Sequence, residues 1–144
     1  MAAAAAIPGP ALQIAPARKA FACQVLADAT GASPDTQGSW PGRAKRFWVQ
    51  GFVCGLRRTE AGFRDCAIDD GTAMLLVRIE DGEESFQDLS VGDYVMVVGP
   101  FKRAFRGMEP HMVKRLNHLP NRLALWDLEV LAVCAEEARI TDSR

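Results

Sequence analysis

The sequence lacks the features that mark membrane proteins, zinc proteins and disulfide-stabilised proteins. It contains no uninterrupted apolar run near the ~18 residues of a membrane helix, so we expect no membrane partner. Cys23, Cys54, Cys66 and Cys134 form no Cys-x-x-Cys pair, whereas a structural zinc site needs closely paired ligands. We therefore expect no metal, no disulfide framework and a reducing compartment.

Catalytic motifs are also missing. The sequence has no Gly-x-Ser-x-Gly motif, no Gly-rich phosphate loop and no histidine pair at metal-binding spacing. Asp69 and Asp70 could form an acidic pair, but the run Asp-Asp-Gly-Thr is typical of a tight turn. His111 and His118 have no evident nucleophile as a partner. We predict a protein without catalytic activity and without a cofactor.

The net charge of −1 conceals a segregation of charge along the chain. Residues 43–64 sum to +5, residues 65–93 to −8 and residues 94–122 to +5. The acidic segment includes or adjoins the second and third expected strands, which form the usual nucleic-acid face of a small barrel. Carboxylates there would repel phosphate, so we expect weak or no direct binding of nucleic acid.

The middle of the chain is rich in β-branched and aromatic residues between turn residues, which predicts short strands. Gly51 and Gly55 lie inside the first of them, and glycine in a strand marks a bend or bulge. We predict a mainly β fold, a single five-stranded barrel of the oligonucleotide/oligosaccharide-binding (OB) type with a C-terminal α-helix. The expected strands cover residues 47–56, 63–68, 73–79, 93–101 and 111–117, with an acidic connection at 80–92 and a basic connection at 102–110.

Composition divides the chain into four parts. The Ala- and Pro-rich start predicts a disordered tail, and the barrel and helix are separate blocks of apolar residues. The predicted parts are the tail at 1–17, an N-terminal extension and loop at 18–46, the OB-fold barrel at 47–118 and an interaction helix at 119–139.

The predicted C-terminal helix has an unusually wide apolar face, because its apolar residues recur at helical spacing along two stripes. Either one stripe packs on the barrel while the other stays partly exposed, or the helix is shared with a partner. We favour a partner, because a large exposed apolar patch normally marks an interaction site. The fourth strand is also apolar on both faces and needs a second cover. The candidate partner interface is Leu123, Trp126, Val130, Val133, Leu128, Leu131, Tyr94 and Met96.

Four short motifs carry a resemblance to a known family. They are Trp-x-Gln-Gly at Trp48–Gly51, Tyr-Val-Met-Val-x-Gly at Tyr94–Gly99, Val113-Lys114, and Trp-Asp-Leu-Glu-Val at Trp126–Val130. In this order they resemble the smaller subunit of the RecQ-mediated genome instability heterodimer, the family of RecQ-mediated genome instability protein two. The resemblance covers residues 47–133 well and residues 18–46 loosely.

The resemblance implies a non-catalytic OB-fold subunit that pairs with the C-terminal OB domain of a larger subunit through packed C-terminal helices. It further implies a nuclear protein of genome stability. That protein stabilises the complex of topoisomerase III and a Bloom-type RecQ helicase, the dissolvasome, which dissolves double Holliday junctions in DNA repair, replication and homologous recombination. Lys114 lies in a matched motif and is a possible docking residue for an acidic segment of another complex member; a solvated strand charge is the alternative.

A competing interpretation places the chain in another class. An OB barrel with a C-terminal helix also suits a single-stranded DNA-binding subunit of a replication protein A-like or telomere trimer. The turn at residues 69–73 fits both interpretations.

Overall fold

The computed structural model describes residues 17–30, 46–80, 82 and 88–142. Parts of the predicted tail, of the N-terminal loop and of the acidic connection lie outside these described residues. The described residues form strands β1 (Arg18–Lys19), β2 (Phe47–Arg58), β3 (Phe63–Asp69), β4 (Met74–Glu80), β5 (Tyr94–Gly99), β6 (Phe101–Lys102), β7 (Gly107–Met108) and β8 (Met112–Arg115), and helices α1 (Ala22–Thr30) and α2 (Arg122–Asp142).

The strands form one curled sheet around β2. This strand has 12 residues, so its first half pairs with β5 and its second half with β3. The order is β6-β7-β4-β3-β2-β5-β8, and all neighbours are antiparallel except β4 and β7. Only Pro100 separates β5 from β6. The β6 end of the sheet therefore lies next to β5, and the sheet curls back on itself. The five predicted strands correspond to β2, β3, β4, β5 and β8.

The core lies inside this curl. Alternate side chains of β2, β3, β4 and β5 point inward, as the period of two along a strand requires. Helix α1 covers one side of the core through Val25, which is fully buried. Most of the inward residues are β-branched, and they are Phe47, Val49, Val53, Cys66, Ile68, Leu75, Val77, Ile79, Val95, Val97 and Met108.

The turn at Asp69–Thr72 joins β3 to β4 and also holds the N-terminus of α1. One carboxylate oxygen of Asp70 accepts hydrogen bonds from the backbone and hydroxyl of Thr72, and its other oxygen accepts from the backbone N–H of Ala22 at 2.7 Å. The Thr72 hydroxyl accepts from the backbone N–H of Cys23 at 3.1 Å. A tight turn therefore caps the N-terminus of α1, where backbone N–H groups have no partner within the helix. The predicted turn is confirmed.

The basic connection predicted at 102–110 contains a second, very short hairpin. Strands β6 and β7 pair there, and β7 continues the sheet beside β4, with Met108 opposite Val77 and fully buried. A Cβ at Gly107 would lie 2.7 Å from the Leu76 carbonyl oxygen, so only glycine allows this approach. The two-residue strands were too short to give a periodic pattern in the sequence.

Helix α2 begins three residues later than the predicted start at residue 119. Asn121 has a φ of 59°, a left-handed backbone conformation that a right-handed helix cannot include. Pro120 precedes it and therefore lies outside the helix. The helix then runs to Asp142, beyond the predicted end at residue 139.

Of the two glycines expected to mark a bend or bulge in β2, Gly55 lies beside a bulge and Gly51 does not. The register with β3 shifts between Val53 and Gly55, which places a bulge at Cys54. Gly51 serves close packing, because a Cβ there would lie 2.6 Å from Ile68 Cγ2 and 2.8 Å from the Asp69 carbonyl oxygen.

These two glycines make a matched pair for a test of the β2–β3 contact. We expect Gly51→Ala to lower the free energy of unfolding by about 1–3 kcal/mol, because the added methyl meets backbone as well as a side chain. Gly55→Ala should change it by less than about 0.5 kcal/mol, because the nearest atom is the Ala67 Cβ at 3.7 Å. Urea unfolding of the two variants measures both values. Equal stabilities would contradict the close approach at Gly51.

Candidate partner interface

Helix α2 packs on the outer face of the sheet through a pair of indoles. Trp126 is completely buried, and its ring stacks on that of Trp48 in β2 with centroids 5.8 Å apart and planes at 30°. Val130, one helical turn later, is also completely buried. Aromatic pairs with this offset geometry are favourable beyond the area that they bury. The indole pair therefore anchors the helix to the barrel.

A buried polar group lies beside this anchor. Gln50 Oε1 accepts hydrogen bonds from the Tyr94 hydroxyl at 3.2 Å and from the Arg122 guanidinium at 3.4 Å. Burial raises the pKa of the Tyr94 hydroxyl to about 12. Among the described residues, no acceptor reaches Gln50 Nε2 or the indole nitrogens of Trp48 and Trp126. Buried donors without acceptors lower the free energy of unfolding. The apolar contact between the two indoles therefore has to contribute more than these donors cost.

Two acidic residues of α2 are turned toward the barrel, whereas Glu136 and Arg139 are exposed and pair with each other. Glu137 accepts two hydrogen bonds of 3.1 Å from Arg18 in β1, whose side chain is only 7% exposed. Glu129 lies 3.7 Å from both Lys19 Nζ and the Arg122 guanidinium. The Lys19 ammonium also lies 4.9 Å from the centroid of the Trp48 ring. Strand β1 therefore links α2 to the barrel through ion pairs on the protein side of the helix.

The solvent side of α2 is apolar. Leu128 is 64% exposed and Leu131 is 54% exposed, and Leu125 flanks them. The neighbouring positions on this side of the central turns are alanines, and Glu136 and Arg139 are exposed only in the turns that follow. The exposed apolar set is Ala124, Leu125, Leu128, Leu131, Ala132 and Ala135. Amphipathic helices normally carry charge on the outer side and leucine on the inner side. Helix α2 reverses this arrangement over its central turns.

The structure separates the predicted interface residues into three groups by their exposure. Trp126, Val130 and Tyr94 are buried within the chain, between the helix and the barrel, and their contact with a partner stays a prediction. They are buried because the sheet supplies its own apolar cover for one stripe of the helix. Half-buried positions are Val133 and Met96, and exposed positions are Leu123, Leu128 and Leu131.

Leu125, which has the same helical spacing as Leu128 and Leu131, also lies on the exposed side. The ion pair of Arg18 with Glu137, which holds the helix, was not anticipated. A pair separated by 119 residues leaves no signal in one sequence. Lys114 lies on β8, where it is exposed and forms no ion pair with a described residue.

Other kinds of site are not found within the described ranges. No three His, Cys, Asp or Glu side chains there are placed to hold a metal ion. No helix among those residues is long and apolar enough to cross a membrane. The four cysteines are free. Burial raises the pKa of the Cys66 thiol to about 12, so this thiol is an inert group of the core.

Comparison with protein families identifies the chain. The family model described as RecQ-mediated genome instability protein 2 matches residues 16–134. The chain belongs to this family. The match confirms the resemblance carried by the four sequence motifs, and it spans both the curled sheet and most of α2. No curated protein sequence matches the chain significantly.

Solved structures similar to this family member confirm the OB fold. A chain of the Schizosaccharomyces pombe Stn1–Ten1 complex superposes with a TM-score of 0.60 at 19% identity, covering 68% of this chain and 76% of the other. A chain of yeast Stn1 and Ten1 gives 0.68 at 12% identity, with coverages of 86% and 75%. A chain of a replication protein A heterotrimer bound to single-stranded DNA gives 0.54 at 19% identity, with coverages of 65% and 74%. At these identities the likeness establishes the fold alone.

Tyr94 is the only tyrosine of the chain, so it reports directly on how α2 packs. We expect its absorbance titration to have a midpoint near pH 12, against the ordinary 10.0. Because the pKa is raised in the folded state, this group's contribution to stability is complete below pH 10 and is lost as the pH rises toward 12. Trp126→Ala should free the helix and move the midpoint toward 10, and the outward-facing Leu128→Ala should leave it unchanged. Equal midpoints in both variants would mean that Trp126 does not hold the helix over Tyr94.

Proposed function

We propose that this chain is a non-catalytic OB-fold subunit that pairs through α2 with the larger RecQ-mediated genome instability subunit. In that role it stabilises the Bloom-type helicase and topoisomerase III complex in the nucleus and supports dissolution of double Holliday junctions. Family membership supports a protein of genome maintenance, and the finer role is our inference from that membership.

The reversed polarity of α2 is the observation that carries the proposal. Leucines and alanines on its solvent side form a ridge without charge, while Glu129 and Glu137 are held by cations of β1 on the protein side. A soluble chain rarely exposes such a ridge without a function, because contiguous exposed apolar surface favours association. Small residues beside leucines also allow close approach of a second helix. The matching occupant is therefore the apolar face of a helix from another subunit.

The similar structures support a partner of this kind. They belong to a Stn1–Ten1 complex and to a replication protein A heterotrimer, so similar OB folds occur in assemblies of several subunits. The alternative function, a subunit of a replication protein A-like or telomere trimer, would use the same helix face. The identity of the protein that co-purifies with the full chain distinguishes the two functions.

The ridge is tested by comparing two exposed apolar residues. Leu128 is 64% exposed on α2, and Met74 is 61% exposed on β4. On co-expression with the larger subunit, we expect Leu128→Glu to weaken the complex at least about tenfold, because it places a charge in an apolar contact. Met74→Glu should leave it intact. Retention of the partner by Leu128→Glu, with a Tyr94 titration like that of the wild type, would rule out this face.

Lys114 is proposed as a separate docking point for an acidic segment of another complex member. It is exposed, lies opposite Met96 on the neighbouring strand, and has no ion pair among the described residues. Charge reversal by Lys114→Glu should release that member and leave the heterodimer intact, because the residue is not on α2. The measurement is affinity purification of the whole complex, with Arg58→Glu on β2, an exposed cation away from α2, as a control for the same change of charge. If all members stay bound, Lys114 is a solvated strand charge.

A further inference from the structure

A groove runs along α2 between this helix and strand β1. Its volume is about 400 Å³, and Ala132 in its wall is exposed, so no described residue covers it. The positions that α2 contributes are three or four residues apart, which places them on one side of the helix. The groove is lined by Lys19, Glu129, Ala132, Val133, Glu136 and Glu137. It is therefore a continuous surface at the edge of the leucine ridge.

The charged groups around this groove are already paired within the chain. Each of the three glutamates has a cation beside it, and the pairs are Glu129 with Lys19, Glu136 with Arg139 and Glu137 with Arg18. The other two lining residues, Ala132 and Val133, are apolar. A charged occupant would lose hydration without gaining a free partner of opposite charge among the lining residues, which is unfavourable. The groove therefore fits an uncharged segment with small and apolar side chains.

The chain contains a segment of this kind before β1. Residues 1–17 carry no Asp, Glu, Lys or Arg, and no other run without charge in the sequence is as long. Alanine and proline predominate in it, and the branched aliphatic residues are Ile7, Leu12 and Ile14. Leu12 and Ile14 are two positions apart, so in an extended chain both side chains lie on the same side. Composition predicts disorder for this segment alone, and the groove offers its apolar side a surface to bury.

The segment joins the fold at the groove itself. It continues directly into β1, where Lys19 lines the groove and Arg18 binds Glu137. At ~3.5 Å per extended residue, Ile14 reaches about 14 Å from Arg18, and Leu12 reaches about 21 Å. The α2 side of the groove is only about 12 Å long at 1.5 Å per helical residue. Both side chains are therefore within reach of the whole groove.

Prolines suit a segment that docks without joining a sheet. Pro8, Pro10 and Pro16 have no backbone N–H and favour an extended conformation. Such a chain needs no neighbouring strand and loses little further conformational freedom on docking. Because the segment is tethered at Arg18, its concentration at the groove is of the order of millimolar. A contact that would be weak between separate molecules is therefore sufficient within one chain.

We propose that residues 7–16 dock in the groove between β1 and α2, with Leu12 and Ile14 against Ala132 and Val133. The docked segment covers one edge of the exposed apolar set and leaves Leu128 for the partner subunit. This contact goes beyond the proposed pairing with the larger subunit, because it lies within one chain and forms before a partner binds.

NMR spectroscopy of the isotope-labelled full chain tests the contact directly. We expect nuclear Overhauser effects between the methyl groups of Ile14 and those of Val133. Backbone order parameters should exceed about 0.6 for residues 12–15, the boundary below which a backbone is flexible. Residues 2–6 should stay below about 0.6, because they precede the docked part and serve as a control within the same spectrum.

Two alanines of α2 form a matched pair for the same measurement. Ala132→Glu should bring the order parameters of residues 12–15 below about 0.6, because it places a carboxylate in the apolar wall of the groove. Ala138→Glu makes the same change at an exposed alanine of α2 outside the groove, and it should leave these values unchanged.

Four outcomes would overturn the proposal. They are a flexible backbone throughout residues 7–16 of the free chain, equal effects of the Ala132 and Ala138 variants, contacts between labelled and unlabelled chains in a mixed sample, and rigidity that appears only with the larger subunit. The third would assign the groove to a second copy, and the fourth to the complex. Ile14→Asp should release the segment and still retain the larger subunit on co-purification, because the ridge is unchanged. Failure of the docked segment is therefore distinguishable from failure of the heterodimer.

Discussion

The stacking of Trp126 on Trp48 is the contact on which the functional surface depends. It fixes the rotation of α2 about its own axis, because only one side of a helix can hold a fully buried indole against the sheet. Once that side is chosen, Leu128 and Leu131 must face solvent, and Glu129 and Glu137 come within reach of β1. The exposed apolar ridge is thus a consequence of how the helix is anchored.

The anchor combines a favourable apolar contact with an incomplete polar one. Several buried donors around Gln50 lack acceptors among the described residues, while ion pairs at the helix edges are well formed. An isolated helix of this composition would bury either stripe equally well, since both are apolar. The ion pairs of β1 and the indole contact together select one of the two. The N-terminal residues therefore help to decide which side of α2 is exposed, although they lie far from it in sequence.

Charge shows a similar dependence on tertiary pairing. Along the chain, two basic segments flank an acidic one, and their sums nearly cancel. In the fold, Asp65 is held by Arg78, and Asp70 caps α1, so much of the acidic segment acts within the structure. Arg57 and Arg58 at the end of β2, and the basic residues of the β6–β7 hairpin, remain exposed. Net charge and segment charge both miss this arrangement, because neither includes which groups are paired.

The sequence by itself determined the fold class, the positions of five strands and the existence of a C-terminal helix. The apolar face of that helix is wider than packing on one barrel requires. Those features follow from local periodicity, turn residues such as Gly71, and ordered motifs that identify the family. The tertiary structure decided which side of α2 is exposed, why Gly51 is glycine and where the β6–β7 hairpin lies. Each of these depends on contacts between residues distant in sequence, and such contacts leave no periodic signal in a single chain.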